Sequence, residues 1–161
     1  MIFLTVGSQL PFDRLTRSVD EWAAKNPDIE VFGQIGITDF TPQHMKYSTT
    51  LKPLEYQEKL DAADIIVSHV GMGTIISALD TGKPLLAMPR RAEFGEVRNN
   101  HQISTIKLVK QYKLIEVAND ETEVAGVLDK MVAQKGSAVF QPEALTVSPE
   151  LIDTINRFIR E

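Results

Sequence analysis

Short apolar runs alternate along this chain with longer stretches in which apolar residues recur every three or four positions. The runs predict buried strands, and the recurring pattern predicts helices with one apolar face. The predicted strands cover Ile2–Val6, Ile29–Gln34, Tyr47–Lys52, Asp64–Ser68, Pro84–Met88 and Leu114–Val117. The predicted helices cover Pro11–Lys25, Pro53–Ala63, Gly73–Thr81, Asn99–Gln111 and Asp120–Gln134. Strands and helices therefore alternate along most of the chain.

The spacing of apolar residues predicts which side of a helix faces the core. Leu54 and Leu60 are expected to point inward from the second helix, and the fourth helix has an apolar stripe of Ile103, Ile106, Leu108 and Val109. Residues 136–147 have the composition of a loop, and Ser148-Pro149-Glu150 opens a last amphipathic helix with Leu151, Ile155, Phe158 and Ile159 on one side. We expect residues 1–161 to form one domain, with 136–161 as its tail.

This alternation predicts an α/β fold in which a doubly wound, mostly parallel, six-stranded sheet carries helices on both faces. The expected strand order is 3-2-1-4-5-6, as in Rossmann-like domains. In that order strands one and four are neighbours, and ligands bind in the crevice outside their carboxyl ends. The turns after these two strands, at Gly7-Ser8-Gln9 and at residues 68–73, are predicted to meet there.

Composition narrows the classes of function. Hydrophobic residues make up 43% of the 161 residues and charged residues 24%, which is ordinary for a globular domain. A net charge of -5 and a pI near 5.2 argue against a nucleic-acid binder. The chain has no cysteine, no secretory signal and no apolar window of the roughly 18 residues that a membrane span needs. We expect a cytoplasmic protein without a direct membrane span.

The segment DIIVSHVGMGTIISALDTGKP, residues 64–84, places a glycine-bearing turn between a strand and a helix. Gly71 and Gly73 permit a close approach of a ligand to the backbone, and Thr74 adds a hydroxyl group. Phosphate is the best-matched ligand for such a helix start. The alternative is that the glycines only fit a tight turn. The segment lacks the Gly-Lys-Ser/Thr of a P-loop, and the first strand lacks a GxGxxG motif.

His69 comes directly after the predicted fourth strand, where it can donate to a phosphate or act as a base. The alternative is an ordinary polar side chain satisfied by its neighbours. His44, His69 and His101 have no spacing typical of a zinc site, so no metal is expected. The polar run between Arg90 and Gln102 follows the fifth strand at the same edge and ends in amides suited to sugar hydroxyls. Elsewhere such a run would usually be a solvated surface.

Several of these segments together resemble the carboxyl-terminal, donor-binding half of the GT-B glycosyltransferases. They are SHVGMGT, the following GKP, the strand that ends in Pro89, and NNHQ. The start MIFLTVGSQLPFDRL also resembles the opening of that half in a subgroup of split transferases. The subgroup comprises the cytosolic subunit of the dolichol-diphosphate GlcNAc transferase and bacterial subunits of exopolysaccharide and capsule synthesis. In it a membrane-associated partner subunit supplies the acceptor-binding half.

The resemblance implies roles for individual residues. The residues that would hold the diphosphate of a UDP-sugar are His69, Gly71, Met72, Gly73 and Thr74, with Gly7 and Ser8 facing the same group. Those that would contact the sugar are Asn100, His101 and Gln102, and the loop at Leu51 and Lys52 matches uracil recognition. One position departs from the pattern: many relatives carry a ribose-binding Glu three residues after the Thr, and Ser77 stands there in this chain.

The implied reaction moves a sugar from UDP to a lipid-diphosphate-linked acceptor, with inversion and without a metal or another cofactor. The catalytic base is expected in the partner subunit, which would hold this chain at the inner face of the membrane. Two other interpretations remain open. One is a non-catalytic subunit that binds a nucleotide or stabilises a membrane transferase, and the other is a small oxidoreductase or sensor, weakened by the missing dinucleotide motif. The sequence leaves homodimer formation open.

Overall fold

The computed structural model describes residues 1–7, 10–98 and 101–135, and the side chains of residues 101, 103 and 104 are not described. Its strands are β1 (Ile2–Thr5), β2 (Val31–Gln34), β3 (Lys46–Ser48), β4 (Ile65–His69), β5 (Leu85–Met88) and β6 (Ile115–Val117). Its helices are α1 (Asp13–Lys25), α2 (Pro53–Ala62), α3 (Met72–Thr81), α4 (His101–Val109) and α5 (Glu121–Gln134). The predicted tail at 136–161 lies outside the described residues.

The six strands form one sheet in the order β3-β2-β1-β4-β5-β6, and every neighbouring pair is parallel. This confirms the predicted fold class and strand order. All strands therefore end at the same edge, which we call the carboxyl edge. β1 lies between β2 and β4, and Thr5 pairs with Ser68 in the register of β1 and β4. The turns that follow β1 and β4 consequently leave the sheet side by side.

Helices cover both faces of the sheet because alternate residues of a strand point to opposite sides. Ile2 and Leu4 of β1 pack into a core with Leu15 of α1 and Leu128 of α5, whereas Phe3 points to the other side. The core on that other side is closed by buried residues of α2, α3 and α4, which are Leu60, Ile75, Ala78, Leu79, Ile106 and Val109. The sheet is thus buried on both faces, as its continuous apolar strands require.

Helix boundaries follow the predicted signals closely. α3 ends at Gly82, whose φ of 65° is the left-handed conformation that glycine adopts readily. α5 begins after Asp120, whose carboxylate accepts a hydrogen bond of 2.9 Å from the Thr122 N–H. The predicted apolar stripe of α4 is confirmed at Ile106 and Val109, which are buried.

Three local predictions are wrong. Leu54 is 71% exposed rather than inward, because six residues of helical rotation place it on a different side from Leu60. Tyr56, four residues before Leu60, packs edge-on against Phe3 at 5.5 Å instead. β3 ends at Ser48 rather than Lys52, since the Ser48 hydroxyl donates to the Thr50 carbonyl and the chain leaves the sheet. β4 extends one residue further than predicted and ends with His69.

Candidate functional site

His69 closes β4 at the carboxyl edge, and two glycines flank its imidazole. A Cβ on Gly71 would lie 2.8 Å from His69 Cε1, closer than real Cβ atoms come to a neighbour. A Cβ on Gly7 would lie 3.0 Å from the same atom, and Gly7 also has a φ of +80° that favours glycine. The ring therefore occupies the space that side chains at positions 7 and 71 would fill. Sequence reasoning related Gly71 to a ligand or to a tight turn and did not indicate this contact with the ring.

The imidazole is held in its neutral form. Burial, the larger cause, and the positive charge of Arg90 together lower the pKa of His69 from 6.5 to about 4. His69 Nδ1 lies 3.3 Å from the hydroxyl oxygen of Ser68, which is fully buried. A neutral ring carries one N–H group and is a weak base near neutral pH. His69 is therefore suited to donate a hydrogen bond rather than to remove a proton.

α3 begins next to this ring with its backbone N–H groups unoccupied. Gly71 is its N-cap, no side chain caps the helix, and no acidic residue stands in its first turn. Among the hydrogen bonds of the described residues, none involves the N–H groups of Met72, Gly73 or Thr74. By contrast, α1, α2 and α5 each carry an acidic residue in the first turn. The start of α3 keeps the partial positive charge that attracts anions.

The other predicted site residues are only partly brought together. Leu51 is partly buried and Lys52 is exposed, and both stand between β3 and α2 at the carboxyl edge. They lie beyond β2 from the Gly7 turn, so two strand spacings of roughly 5 Å each separate them from it. Gln102 is in the first turn of α4, and its Oε1 accepts a hydrogen bond of 3.0 Å from the Arg90 backbone N–H.

Ser8 and Asn100 fall outside the described residues. His101 begins α4, but its side chain is also outside what the structure describes. The roles assigned to these three residues stay predictions.

Sequence reasoning did not single out Gln34 and placed Arg90 only in the polar loop after the fifth strand, yet both are buried at the carboxyl edge. Arg90 is 5% exposed, and its guanidinium donates to backbone carbonyls of the turn after β1. Gln34 is 6% exposed and donates to the carbonyls of Gly7 and Thr49. Glu96 is buried as well and forms a bidentate pair with Arg14 of α1. Part of the polar run 90–102 is therefore buried and bonded within the protein rather than available to a ligand.

An open groove of about 470 Å³ lies elsewhere, beside α1. Its Asp20 carboxylate is already occupied by the backbone N–H groups of Gln43, His44 and Met45, and its charged residues are of both signs. The groove is lined by Arg17, Asp20, Glu21, Ala24, Lys25, Phe40 and His44. Its lining includes neither the turns after β1 and β4 nor the start of α3, so we place the candidate site at the carboxyl edge.

The described part of the chain offers neither a metal centre nor a membrane-spanning helix. No group of three or more His, Asp or Glu side chains there is arranged to hold a metal ion. No helix in the same ranges is long and apolar enough to cross a bilayer.

Acid is expected to destabilise the protein through His69. Between pH 6.5 and about 4 the unfolded chain binds a proton at this imidazole and the folded chain does not, so the free energy of unfolding falls as the pH falls. The loss between about pH 7 and about pH 5 should be about 2 kcal/mol. Urea unfolding of the wild type and of His69→Gln at a series of pH values measures it, and the variant should show a flatter dependence.

His44→Gln provides the matched control, because it removes an imidazole from an exposed position. This control should keep the wild-type pH dependence. An equally steep dependence in His69→Gln would contradict the buried, neutral state of the ring.

Comparison with known proteins identifies a family model and proteins that are similar to this chain. A family model described as "Glycosyltransferase family 28 C-terminal domain" matches residues 1–150. A UDP-N-acetylglucosamine--N-acetylmuramyl-(pentapeptide) pyrophosphoryl-undecaprenol N-acetylglucosamine transferase of Christiangramia forsetii is 28% identical over 115 residues, which are 68% of this chain and 30% of that protein. The human UDP-N-acetylglucosamine transferase subunit ALG13 is 31% identical over 121 residues, or 66% of this chain and 10% of that protein.

One solved structure has a similar fold. The NMR solution structure of ALG13 superposes with a TM-score of 0.59 over 99% of this chain and 96% of that one, at 16% identity. The chain thus spans less than a third of either curated relative described above, but nearly all of this solved domain.

Proposed function

Because this chain belongs to the glycosyltransferase family 28 C-terminal domain family, we propose that it binds a UDP-sugar at the carboxyl ends of β1 and β4. The observation that carries the proposal is the uncapped start of α3, which leaves three N–H groups beside Gly7 and the neutral imidazole of His69. A diphosphate is the part of a UDP-sugar that such donors recognise. The names of the bacterial and human relatives both specify a UDP-N-acetylglucosamine transferase, which supports this class of donor.

In this proposal the remaining parts of the donor extend along the same edge. His69, with Ser8 and the backbone of Gly7, contacts the diphosphate together with the first turn of α3. The sugar is contacted by Asn100, His101 and Gln102. Uracil lies against the loop at Leu51 and Lys52, two strand spacings from the Gly7 turn, which suits the separation between the base and the diphosphate of one nucleotide. No metal or other cofactor is proposed.

The chemistry follows from the charge that develops on UDP. An acceptor hydroxyl oxygen bonds to the anomeric carbon with inversion, the bond from that carbon to the diphosphate oxygen breaks, and UDP leaves with the electron pair. Fixed N–H donors at the start of α3 and the His69 N–H stabilise the negative charge as it grows. The hydroxyl proton needs a base, and an imidazole whose pKa is about 4 is a poor one near neutral pH. We assign the base to a second subunit.

The exposed apolar residues support such a second subunit. Among the described residues, four of the five large apolar side chains that are exposed stand at the carboxyl edge, after β1, β2, β3 and β5. They are Leu10 at 44%, Ile37 at 83%, Leu54 at 71% and Phe94 at 58% exposed. A second subunit that docks on this edge would cover these side chains. The human relative is itself named a subunit.

We therefore propose a two-component transferase in which this chain binds the donor and a membrane-associated subunit binds a lipid-diphosphate-linked acceptor. This places the chain in the cytoplasm at the membrane surface and assigns it to exopolysaccharide, capsule or lipid-linked oligosaccharide synthesis. A non-catalytic subunit that only binds the nucleotide is the second candidate. The low pKa of His69 fits this candidate as well as it fits a base in the second subunit.

Calorimetric titration of the chain with UDP, UMP and uridine, in the presence of a chelator, tests the donor site. We expect UDP to bind roughly 10-fold or more tightly than uridine, because the diphosphate adds several charge-assisted hydrogen bonds. Affinity for UDP should fall in His69→Ala. Equal affinities for UDP and uridine, or no binding of either, would remove the proposed site.

The same protein samples are then tested for sugar transfer. The chain alone should transfer no sugar to a lipid-diphosphate acceptor, and transfer should appear when the acceptor-binding subunit is added. If His69→Ala impairs UDP binding but leaves turnover of the two-chain complex intact, the non-catalytic interpretation is correct. Efficient transfer by the isolated chain would contradict the division between two subunits.

A further inference from the structure

The turn after β1 is held by a buried cation that is bonded only to neutral groups. Arg90 Nη2 donates to the carbonyls of Val6 at 2.6 Å and Leu10 at 2.7 Å, and Nη1 donates to those of Pro11 at 2.7 Å and Glu96 at 3.1 Å. Its guanidinium also lies 4.8 Å from the centre of the Phe12 ring. Burying a charge costs free energy unless the protein compensates for it. Here the compensation comes from peptide carbonyls rather than from a direct carboxylate partner.

A second buried side chain holds the same turn from the other side. Gln34 Nε2 donates to the Gly7 carbonyl at 3.1 Å and to the Thr49 carbonyl at 3.2 Å, and its Oε1 accepts from the Thr5 hydroxyl at 2.8 Å. Gln34 and Arg90 together occupy the carbonyl oxygens of Val6, Gly7, Leu10 and Pro11. These four carbonyls bracket residues 8 and 9 of the candidate site.

The hydrogen bonds from Arg90 and Gln34 to these carbonyls fix the direction of the peptide dipoles. In a trans peptide unit the C=O and N–H groups point in opposite directions. When Arg90 takes the Val6 carbonyl, the Gly7 N–H is therefore turned away from Arg90. Carbonyl oxygens are the negative ends of these dipoles, and turning them inward removes a repulsion that an anionic ligand would meet.

We propose that Arg90 and Gln34 are positioning residues that hold the turn after β1 ready for the diphosphate of the nucleotide, with Arg90 also adding a positive potential beneath it. This inference rests on the proposed function. The charge of Arg90 already acts at the crevice, because it is one of the causes that lower the pKa of His69.

Two substitutions at Arg90 separate the charge from the hydrogen bonds. Arg90→Lys keeps the charge and cannot reach four carbonyls, whereas Arg90→Met removes both. Each variant is titrated with UDP and with uridine. We expect UDP affinity to fall roughly 10-fold or more in Arg90→Met and less in Arg90→Lys, while uridine affinity stays within about twofold of the wild type.

Arg91→Met is the matched control. Arg91 is the next residue on the same loop, and its guanidinium contacts Glu93 and the Asn119 carbonyl rather than the turn after β1. This variant should bind UDP and uridine as the wild type does.

The wild-type protein supplies a measurement that does not depend on the stability of any variant. The Nη–H groups of Arg90 should give separate, slowly exchanging NMR signals, because four hydrogen bonds hold the guanidinium. These signals should shift when UDP is added and stay unchanged with uridine. Unshifted signals on UDP binding would overturn the inference, and so would parallel losses of UDP and uridine affinity in the folded Arg90 variants.

The outcomes also separate this inference from the proposed function. If the wild type does not bind UDP, both are lost. If the wild type binds UDP and the Arg90 variants bind it equally well, only the positioning role is lost.

Discussion

Gly71→Ala is expected to reduce UDP affinity by roughly 100-fold while leaving a folded protein. Gly71 has a φ of -110°, which alanine adopts without strain, so the effect is steric. The new methyl group would collide with the His69 ring, whose Cε1 would be 2.8 Å away. The ring must then rotate into the crevice or push the start of α3 aside. Either movement disturbs the N–H donors on which diphosphate binding depends. Calorimetry with UDP measures the loss.

A double variant distinguishes this clash from a general effect at Gly71. In Gly71→Ala/His69→Ala the ring is absent, so the added methyl group should cost little beyond the single His69→Ala substitution. Gly126→Ala in α5 is the control, because a Cβ there meets no atom within 4 Å. It should leave UDP binding unchanged and raise stability by about 0.5 kcal/mol or more. Wild-type affinity in Gly71→Ala would show that the ring does not fill this space.

Glu96→Gln is expected to lower the free energy of unfolding by about 3 kcal/mol. Glu96 accepts from Arg14 Nε at 2.7 Å and Nη2 at 2.8 Å, and from the Arg91 backbone N–H at 2.9 Å. Its side chain is only 9% exposed, and that of Arg14 is 17% exposed. Glutamine removes the negative charge and presents an NH₂ group to a guanidinium that has only donors. Arg14 would then be a buried cation with one remaining carboxylate partner, Glu121.

Urea unfolding measures this loss, and Glu93→Gln is the control. Glu93 stands on the same loop but is exposed, and its pairing with Arg91 at 3.4 Å should contribute at most about 0.5 kcal/mol. Replacing the buried pair together, in Arg14→Met/Glu96→Leu, should recover part of the stability, because no unpaired charge remains between these positions. An unchanged urea midpoint for Glu96→Gln would contradict a stabilising role for the pair.

The sequence predicts the alternating strands and helices, because strands buried on both faces have continuous apolar runs and helices have periodic ones, and the strand order follows from the usual arrangement of doubly wound folds. It also predicts the cap at Asp120 and the helix end at Gly82, since these signals depend on local backbone chemistry. It does not place Leu54 correctly, because a short helix with few apolar residues leaves its buried side ambiguous.

The candidate site is predicted only in part, for a physical reason. Arg90 and Arg91 are adjacent and chemically identical in the sequence, and only the folded chain shows that Arg90 reaches the carbonyls of a turn about 80 residues earlier. Gln34 carries no local signal either, because its partners come from β1 and from the end of β3. Gly71 was predicted to allow a tight turn and close approach of a ligand, and the pattern gave no sign that the His69 ring lies against it. The pattern of apolar and polar residues does not show contacts between segments that are far apart in the sequence.

The all-parallel sheet also determines where this protein can be modified without harm. Every turn from a helix into the next strand of the described chain lies at the edge opposite the crevice, and Asp28, between α1 and β2, is exposed there. Since the chain contains no cysteine, Asp28→Cys would introduce a single thiol for a fluorescent label or for surface attachment. Such a label would lie away from the crevice and leave the approach of nucleotide and partner open.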